Sequence, residues 1–443
     1  MARVKRHPTL DVTVRILTAL AHARTKQNLS TRPPARWISV PASQNNTSNE
    51  STMQLFFFVF AFAWITQAIS LWDPTGPYHV GYTQHIFNHT TINDPTEPGT
   101  FMLVTIYYPT RQLANTTVAY VDPITAGIFE SNIGITPGSL EKLTTRLQFQ
   151  APTLIDTHPS FGNGTSPYPT LVFTPGAGLP ASSYTAYLSE LASYGYAIVA
   201  IDHPGEAPYL PLPYTNGTGG IYGVPDFSTY PSTIEEALAI LEFRISDIVA
   251  AMSDSFFPAL VREYGAPFNT THFGIFGHSV GGAAAGAVLT SNIEGLERFK
   301  VGVNVDGTLL QYIDENVTVV DLKLPVLEVA SEMHFEGNTS SAGDYTWKHF
   351  DDAQTGWLRD VQVNGTIHLD FSDIPLWIDL LDQRETVNRN RTWIGPANGV
   401  RTTQLTNALL REFFGSMKGQ GLGGVDGWIE KAPELFVLDK NDP

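Results

Sequence analysis

Six short runs rich in β-branched and aromatic residues punctuate the chain, at 101–108, 170–173, 197–201, 272–276, 300–305 and 325–330. They lack the strict apolar–polar alternation of a half-exposed strand, and so predict strands buried on both faces. Between them, 184–193 and 233–252 carry helical periodicity. In the second, Ile234, Ala237, Leu238, Leu241, Ile245 and Ile248 fall on one stripe. Strand and helix alternating in this way predict an α/β domain with a mainly parallel central sheet and helices on both faces. No repeat or low-complexity linker divides residues 71–443, which read as one domain. Residues 203–232 are rich in Pro, Gly and Tyr without periodicity, and predict a long loop over the sheet edge.

The chain starts differently from this body. From Met53 to Ile65 the residues form an apolar h-region with Gln54 as its one polar member, and Ala68-Ile69-Ser70 supplies the small residues that a signal peptidase requires. Residues 53–70 thus read as a secretory signal peptide ending before Leu71. Residues 1–52 carry eight Lys/Arg against two acids and nothing that would build a core, so they read as an upstream extension absent from the working protein. An organelle presequence or a cytosolic tail also fits that composition. Nine N-x-[ST] sequons beyond Ser70, at Asn88, Asn115, Asn163, Asn216, Asn269, Asn316, Asn338, Asn364 and Asn390, agree with a secreted, extracellular glycoprotein. The 18 basic and 41 acidic residues outside the first 52 argue against a nucleic-acid partner. With no cysteine, disulfides, thiolate metal sites and cysteine nucleophiles are excluded.

The chemistry concentrates at Gly277-His278-Ser279-Val280-Gly281-Gly282, which joins the run at 271–276 to the buried helix expected from Ala283 onward. Strand, G-x-S-x-G, helix is the nucleophile elbow of α/β-hydrolases, in which glycines leave room for the turn that exposes the serine. A serine hydroxyl needs a base and an acid that orients it, in the chain order Ser, acid, His. His368 lies in a loop-like stretch after the predicted strands and is the best base. His334 follows its strand too closely, and His349 sits in what reads as a surface helix. Asp306 and Glu332 each end a strand, and the residues alone leave both open as the acid. For the oxyanion hole, the backbone N–H of Val280 is one donor. The Gly-rich turn Thr174-Pro175-Gly176-Ala177-Gly178 offers the other at Ala177.

Several further segments, in order, resemble the plasma-type platelet-activating factor acetylhydrolases and their fungal relatives. These are Gly76-Pro77-Tyr78-His79-Val80-Gly81, Thr105-Ile106-Tyr107-Tyr108-Pro109, Phe173 to Gly178, 197–203, the elbow, Val305-Asp306-Gly307, Ser331-Glu332 and Ile367-His368. The resemblance spans residues 73–380. It implies Asp306 as the acid, with Glu332 supporting, and a metal-independent serine esterase without cofactor. The implied substrate is a glycerophospholipid with a short or oxidised sn-2 acyl ester. It also departs from the family: Pro175 stands where a His is usual, Ala177 replaces a bulkier apolar residue, and Val280 replaces an aromatic. A phospholipid substrate is compatible with contact at a lipid surface, to which Pro375-Leu376-Trp377-Ile378 could contribute, although an apolar patch of that size is more often core. A broad carboxylesterase or polyester hydrolase, and a catalytically silent relative that binds a ligand or partner, are the alternatives.

Overall fold

The computed structural model describes residues 68–91, 101–154, 167–213, 219–334 and 344–443. The readings of 1–52 and of most of the leader fall outside these. Residues 68–443 form one compact unit. Its centre is a sheet of nine main strands: β1 (His79–Phe87), β2 (Met102–Thr110), β3 (Tyr168–Thr174), β4 (Ala197–Asp202), β5 (Phe268–His278), β6 (Phe299–Val305), β7 (Val326–Ser331), β8 (Leu358–Val363) and β9 (Leu435–Asn441). Their order across the sheet is β9-β8-β7-β6-β5-β3-β4-β2-β1, with the two-residue strand Gln148–Phe149 beyond β1. From β4 to β8 every neighbouring pair is parallel, whereas β2 and β9 run against their neighbours.

All six predicted strands are present. The three main strands without a counterpart in the apolar pattern, β1, β8 and β9, escape for a physical reason. β8 buries all six residues although Arg359, Asp360 and Gln362 are polar, and β1 and β9 are half-exposed strands near the sheet edges.

Helices α1 (Pro123–Ile133), α2 (Thr185–Ser193), α3 (Ile234–Ala251), α4 (Val280–Thr290) and α5 (Gly399–Phe414) supply much of the packing. On one face Leu171, Phe173, Ile198 and Phe276 pack with Leu188, Leu191, Leu409 and Phe413. On the other, Val172, Val199 and Ile275 pack with Leu241, Ile248, Ala284 and Val288. Both faces of β3 and β4 are therefore covered, which is why their sequences read as continuous apolar runs.

One expectation is corrected here, and one choice between two readings is decided. Residues 203–210 are buried, and Tyr209–Pro211 pairs antiparallel with Gly220–Tyr222, so 203–232 is not simply a loop over the sheet edge. Its buried start is explained by Glu206, which meets Arg244 of α3 inside the protein. The segment Pro375-Leu376-Trp377-Ile378 is core rather than a lipid-facing patch: Leu376, Trp377 and Ile378 are fully buried.

The interior also holds an unusual number of carboxyls. Burial pushes Asp202, Asp370 and Asp373 up to about 7. It pushes up Glu328, Asp360 and Asp351 as well, and the charge of nearby Asp351 raises Glu328 and Asp360 further. A carboxyl that holds its proton more tightly when folded contributes stability fully below the unfolded value near 4, and loses it as pH rises towards the folded value. His334, raised to about 10, loses its contribution over the same direction of pH, above 6.5. Among the large shifts His278, lowered to about 3, acts the other way as pH falls below 6.5. Asp306 and Asp247 are held low and are ionised in both states above pH 5. The thermal midpoint is therefore expected to fall by several degrees between pH 5.5 and pH 8. Scanning calorimetry across that range checks this, and a rising or flat profile contradicts it.

Candidate active site

β5 ends at His278 and α4 begins at Val280, so Ser279 occupies the corner between them. Its backbone lies at φ 59°, ψ −128°, a conformation that a side-chain-bearing residue adopts only when its surroundings impose it. The flanking glycines answer to space: a Cβ on Gly277 would run into the carbonyl of Gly281, and one on Gly281 into that of Thr174. The corner exposes Ser279 Oγ in part, while the Ser279 N–H donates to Val305 O at 2.9 Å and ties the elbow to the end of β6.

Asp306 follows β6 directly, at φ 56°. Asn304 holds this turn through Gly307, accepting the Gly307 N–H at 3.1 Å and donating Nδ2 to its carbonyl at 2.8 Å. The Asp306 carboxylate is buried and has four partners. Oδ1 accepts from Ser331 N at 2.6 Å and faces His334 Nδ1 at 3.1 Å. Oδ2 accepts from Ser331 Oγ at 3.1 Å and His368 Nδ1 at 2.6 Å. Burial by itself would raise its pKa, but His334 and His368 hold it well below the usual carboxylate range.

His368 opens a short 3-10 turn after β8, and one further strand, β9, follows it. Its Nε2 stands 2.8 Å from Ser279 Oγ. The loop that carries His368 is fastened by two acids, Asp370 taking Ile367 N at 2.7 Å and Glu332 taking Gly365 N at 2.6 Å. Ser279, His368 and Asp306 are thus brought together in one line, and Glu332 serves the loop that carries His368 without meeting its ring.

On the oxyanion side, Gly176 lies against Ser279 and His278, and Ala177 packs with Val280 beside Ile240, Phe243 and Tyr230. Among the described residues neither the Ala177 N–H nor the Val280 N–H has a main-chain acceptor, so both are free to serve a developing negative charge.

Several contributors carried no legible signal. His334 is excluded as base by its position, yet it is part of the site: it lies between Asp306 and Asp344, with Nε2 3.3 Å from Asp344 Oδ2. Burial would discharge it, but the two carboxylates raise it to about 10. The side chain of His278, the variable residue of the elbow, points inward. Its Nε2 donates to His368 O at 2.9 Å and its Nδ1 accepts from Tyr184 Oη at 2.8 Å, a tautomer that follows from the carbonyl's being an acceptor only. His278, Asp306 and His368 lie near enough to suggest a metal trio. Both nitrogens of His278 are already engaged, so the set does not fit one. A cavity of about 650 Å³, lined by Lys323, Trp357 and Asp426 among others, opens at the amino ends of β7 and β8, the opposite edge of the sheet.

Residues 171–442 match the alpha/beta hydrolase family, and the chain belongs to it. Residues 65–210 match a second family model, described as platelet-activating factor acetylhydrolase, isoform II. A probable 1-alkyl-2-acetylglycerophosphocholine esterase of Arthroderma benhamiae is 25% identical over 279 residues, covering 61% of this chain and 66% of that protein, just under two thirds of its length. A ferulic acid esterase from Streptomyces cinnamoneus shares the fold, with a TM-score of 0.66 at 21% identity over 84% of this chain and 100% of that one.

Proposed function

We propose that this chain is a serine ester hydrolase that removes the short sn-2 acyl group of platelet-activating factor-like glycerophospholipids. The observation that carries the reading is the continuous relay from half-exposed Ser279 Oγ through His368 to buried Asp306, at 2.8 and 2.6 Å. With Nδ1–H given to Asp306, the Nε2 lone pair faces the hydroxyl. As Ser279 Oγ attacks the ester carbonyl, its proton passes to Nε2, and the oxyanion is met by the N–H groups of Ala177 and Val280. Collapse expels the glycerol oxygen, which takes that proton, and the acyl-serine remains. Water attacks the acyl-serine by the same route in reverse and releases the carboxylic acid.

The substrate class rests on the sn-2-acetyl esterase named in the fungal relative and on the family matched by residues 65–210. We also propose export from the cell. It is supported by the apolar stretch at 53–65 and by the exposed positions of Asn88, Asn115, Asn316, Asn364 and Asn390. If the leader is cut before Leu71, the Leu71 N–H bond to Thr144 O at 2.9 Å survives, while the two-residue strand Ile69–Ser70 is lost.

The test compares an sn-2-acetyl phosphocholine lipid, its long-chain counterpart and a small acetyl ester, with and without EDTA. Preference for the acetyl lipid, undiminished by chelation, is the expected result. Equal or faster turnover of the small ester indicates a general carboxylesterase. Loss of activity with EDTA overturns the metal-free mechanism.

A further inference from the structure

Arg244 of α3 has no part in the proton relay, yet its side chain is completely buried beneath the oxyanion turn. Nη1 donates to Thr174 Oγ1 at 3.0 Å and to the carbonyl of Pro175, and Nη2 meets Glu206 Oε1 at 2.5 Å. Its Nε has no partner among the described residues. Burying such a pair costs desolvation that its mutual attraction barely offsets, so stability alone is a poor account of it.

The geometry around it is more informative. The peptide joining Pro175 to Gly176 is fixed at both ends: Arg244 holds its carbonyl, and its N–H donates to Tyr184 Oη at 3.0 Å. The next carbonyl, of Gly176, accepts the Leu179 N–H at 3.1 Å. In a trans peptide the N–H points opposite to the C=O. Pinning the Gly176 carbonyl on Leu179 therefore turns the Ala177 N–H to the opposite side, and Gly176 itself lies against Ser279.

We propose that Arg244, held by Glu206 and acting with Tyr184, is the positioning residue that aims the Ala177 N–H at the oxyanion. The proposal rests on the serine-esterase reading. It places specificity for the transition state in a salt bridge between α3 and the buried start of the 203–232 segment. Neither partner touches the substrate.

The full chain is assayed on a small acetyl ester, with a trifluoromethyl ketone as the probe of oxyanion binding. The double variant Arg244→Met with Glu206→Gln removes both charges and leaves no buried charge unpaired. It is expected to fold, to keep its KM, and to lose about 10- to 100-fold in kcat, below the 10²–10³ seen when an oxyanion donor is deleted outright. The inhibition constant of the ketone should rise by the same factor. Tyr184→Phe, which removes one oxygen only, should do likewise on a smaller scale without moving the pH profile. That last readout separates it from an effect through His278 on the base.

Wild-type kcat and ketone affinity in the folded double variant, or in Tyr184→Phe should the double variant not fold, overturn the proposal and leave the serine-esterase reading intact. Absence of any Ser279-dependent turnover in the wild type overturns the underlying reading instead.

Discussion

Replacing Ser279 by Ala is expected to lower kcat by about 10⁶-fold, the scale on which nucleophile deletions act in serine hydrolases. The fold should not change. The elbow's strain sits in the backbone, at φ 59°, and Ala carries the same Cβ as Ser. The lost contact is one hydrogen bond to a His368 ring that is 47% exposed, a position where such bonds contribute little. Circular dichroism and the thermal midpoint should match the wild type, while a radiolabelled phosphonate labels the wild type and not the variant. Residual turnover above a few per cent, free of wild-type contamination, would mean that Ser279 is not the nucleophile.

Asp306→Asn is expected to cost about 10⁴ in kcat, as loss of the orienting carboxylate does where it fixes the imidazole tautomer. The particular geometry here makes the replacement unusually harsh. Oδ1 faces Ser331 N–H and His334 Nδ1, and Oδ2 faces Ser331 Oγ and His368 Nδ1, so donors stand on both sides. An amide can offer its oxygen to one side only. Whichever way that amide turns, its NH₂ meets donors on the other side. Either His368 takes the tautomer that cannot accept the serine proton, or the turn carrying Ser331 and His334 is pushed away. Cationic His334 would in addition lose one of its two carboxylates, so the midpoint should fall as well. Glu332→Gln removes only the charge on an acceptor for Gly365 N–H, and a loss of about tenfold or less is expected from one weakened hydrogen bond. Paired measurements of kcat for the two variants decide the matter. Equal or reversed losses would remove Asp306 from the role of acid.

Much of this was legible in the chain. The alternation of buried strands with amphipathic helices gave β2 through β7 to within a few residues, apart from the longer start of β5, because these strands are covered on both faces and are apolar through most of their length. The elbow was legible because its constraints are local: Gly277 and Gly281 are glycines since neighbouring carbonyls leave no room for a Cβ. Chain order left three histidines, of which the loop-like setting singled out His368, and family resemblance favoured Asp306 over Glu332. β8 was not legible, because its buried Arg359 is paired with Asp426 far along the chain, burial raises the pKa of Asp360, and Gln362 donates to Asn364 at 2.8 Å.

His334 shows where local reasoning stops. By sequence it is one of three histidines downstream of the serine and the wrong distance from its strand to act as base. Only the approach of Asp344 and of the turn after β6 places it between two carboxylates. The same holds for Tyr184, His278 and Arg244, which meet across 94 residues in the Tyr184–His278 pair and 69 in the Arg244–Pro175 pair, a spacing that carries no signature.

Neighbours along the chain suffice to set the interior strands of the sheet, the serine at its corner and the order of the groups that follow it. How the site is held was visible only once the chain was folded. Burial of Asp306 among four donors, the inward turn of His278 and the pinning of the peptide before Ala177 each need groups from separate strands and helices, and hydrogen-bond geometry between distant segments leaves no periodic trace in a sequence.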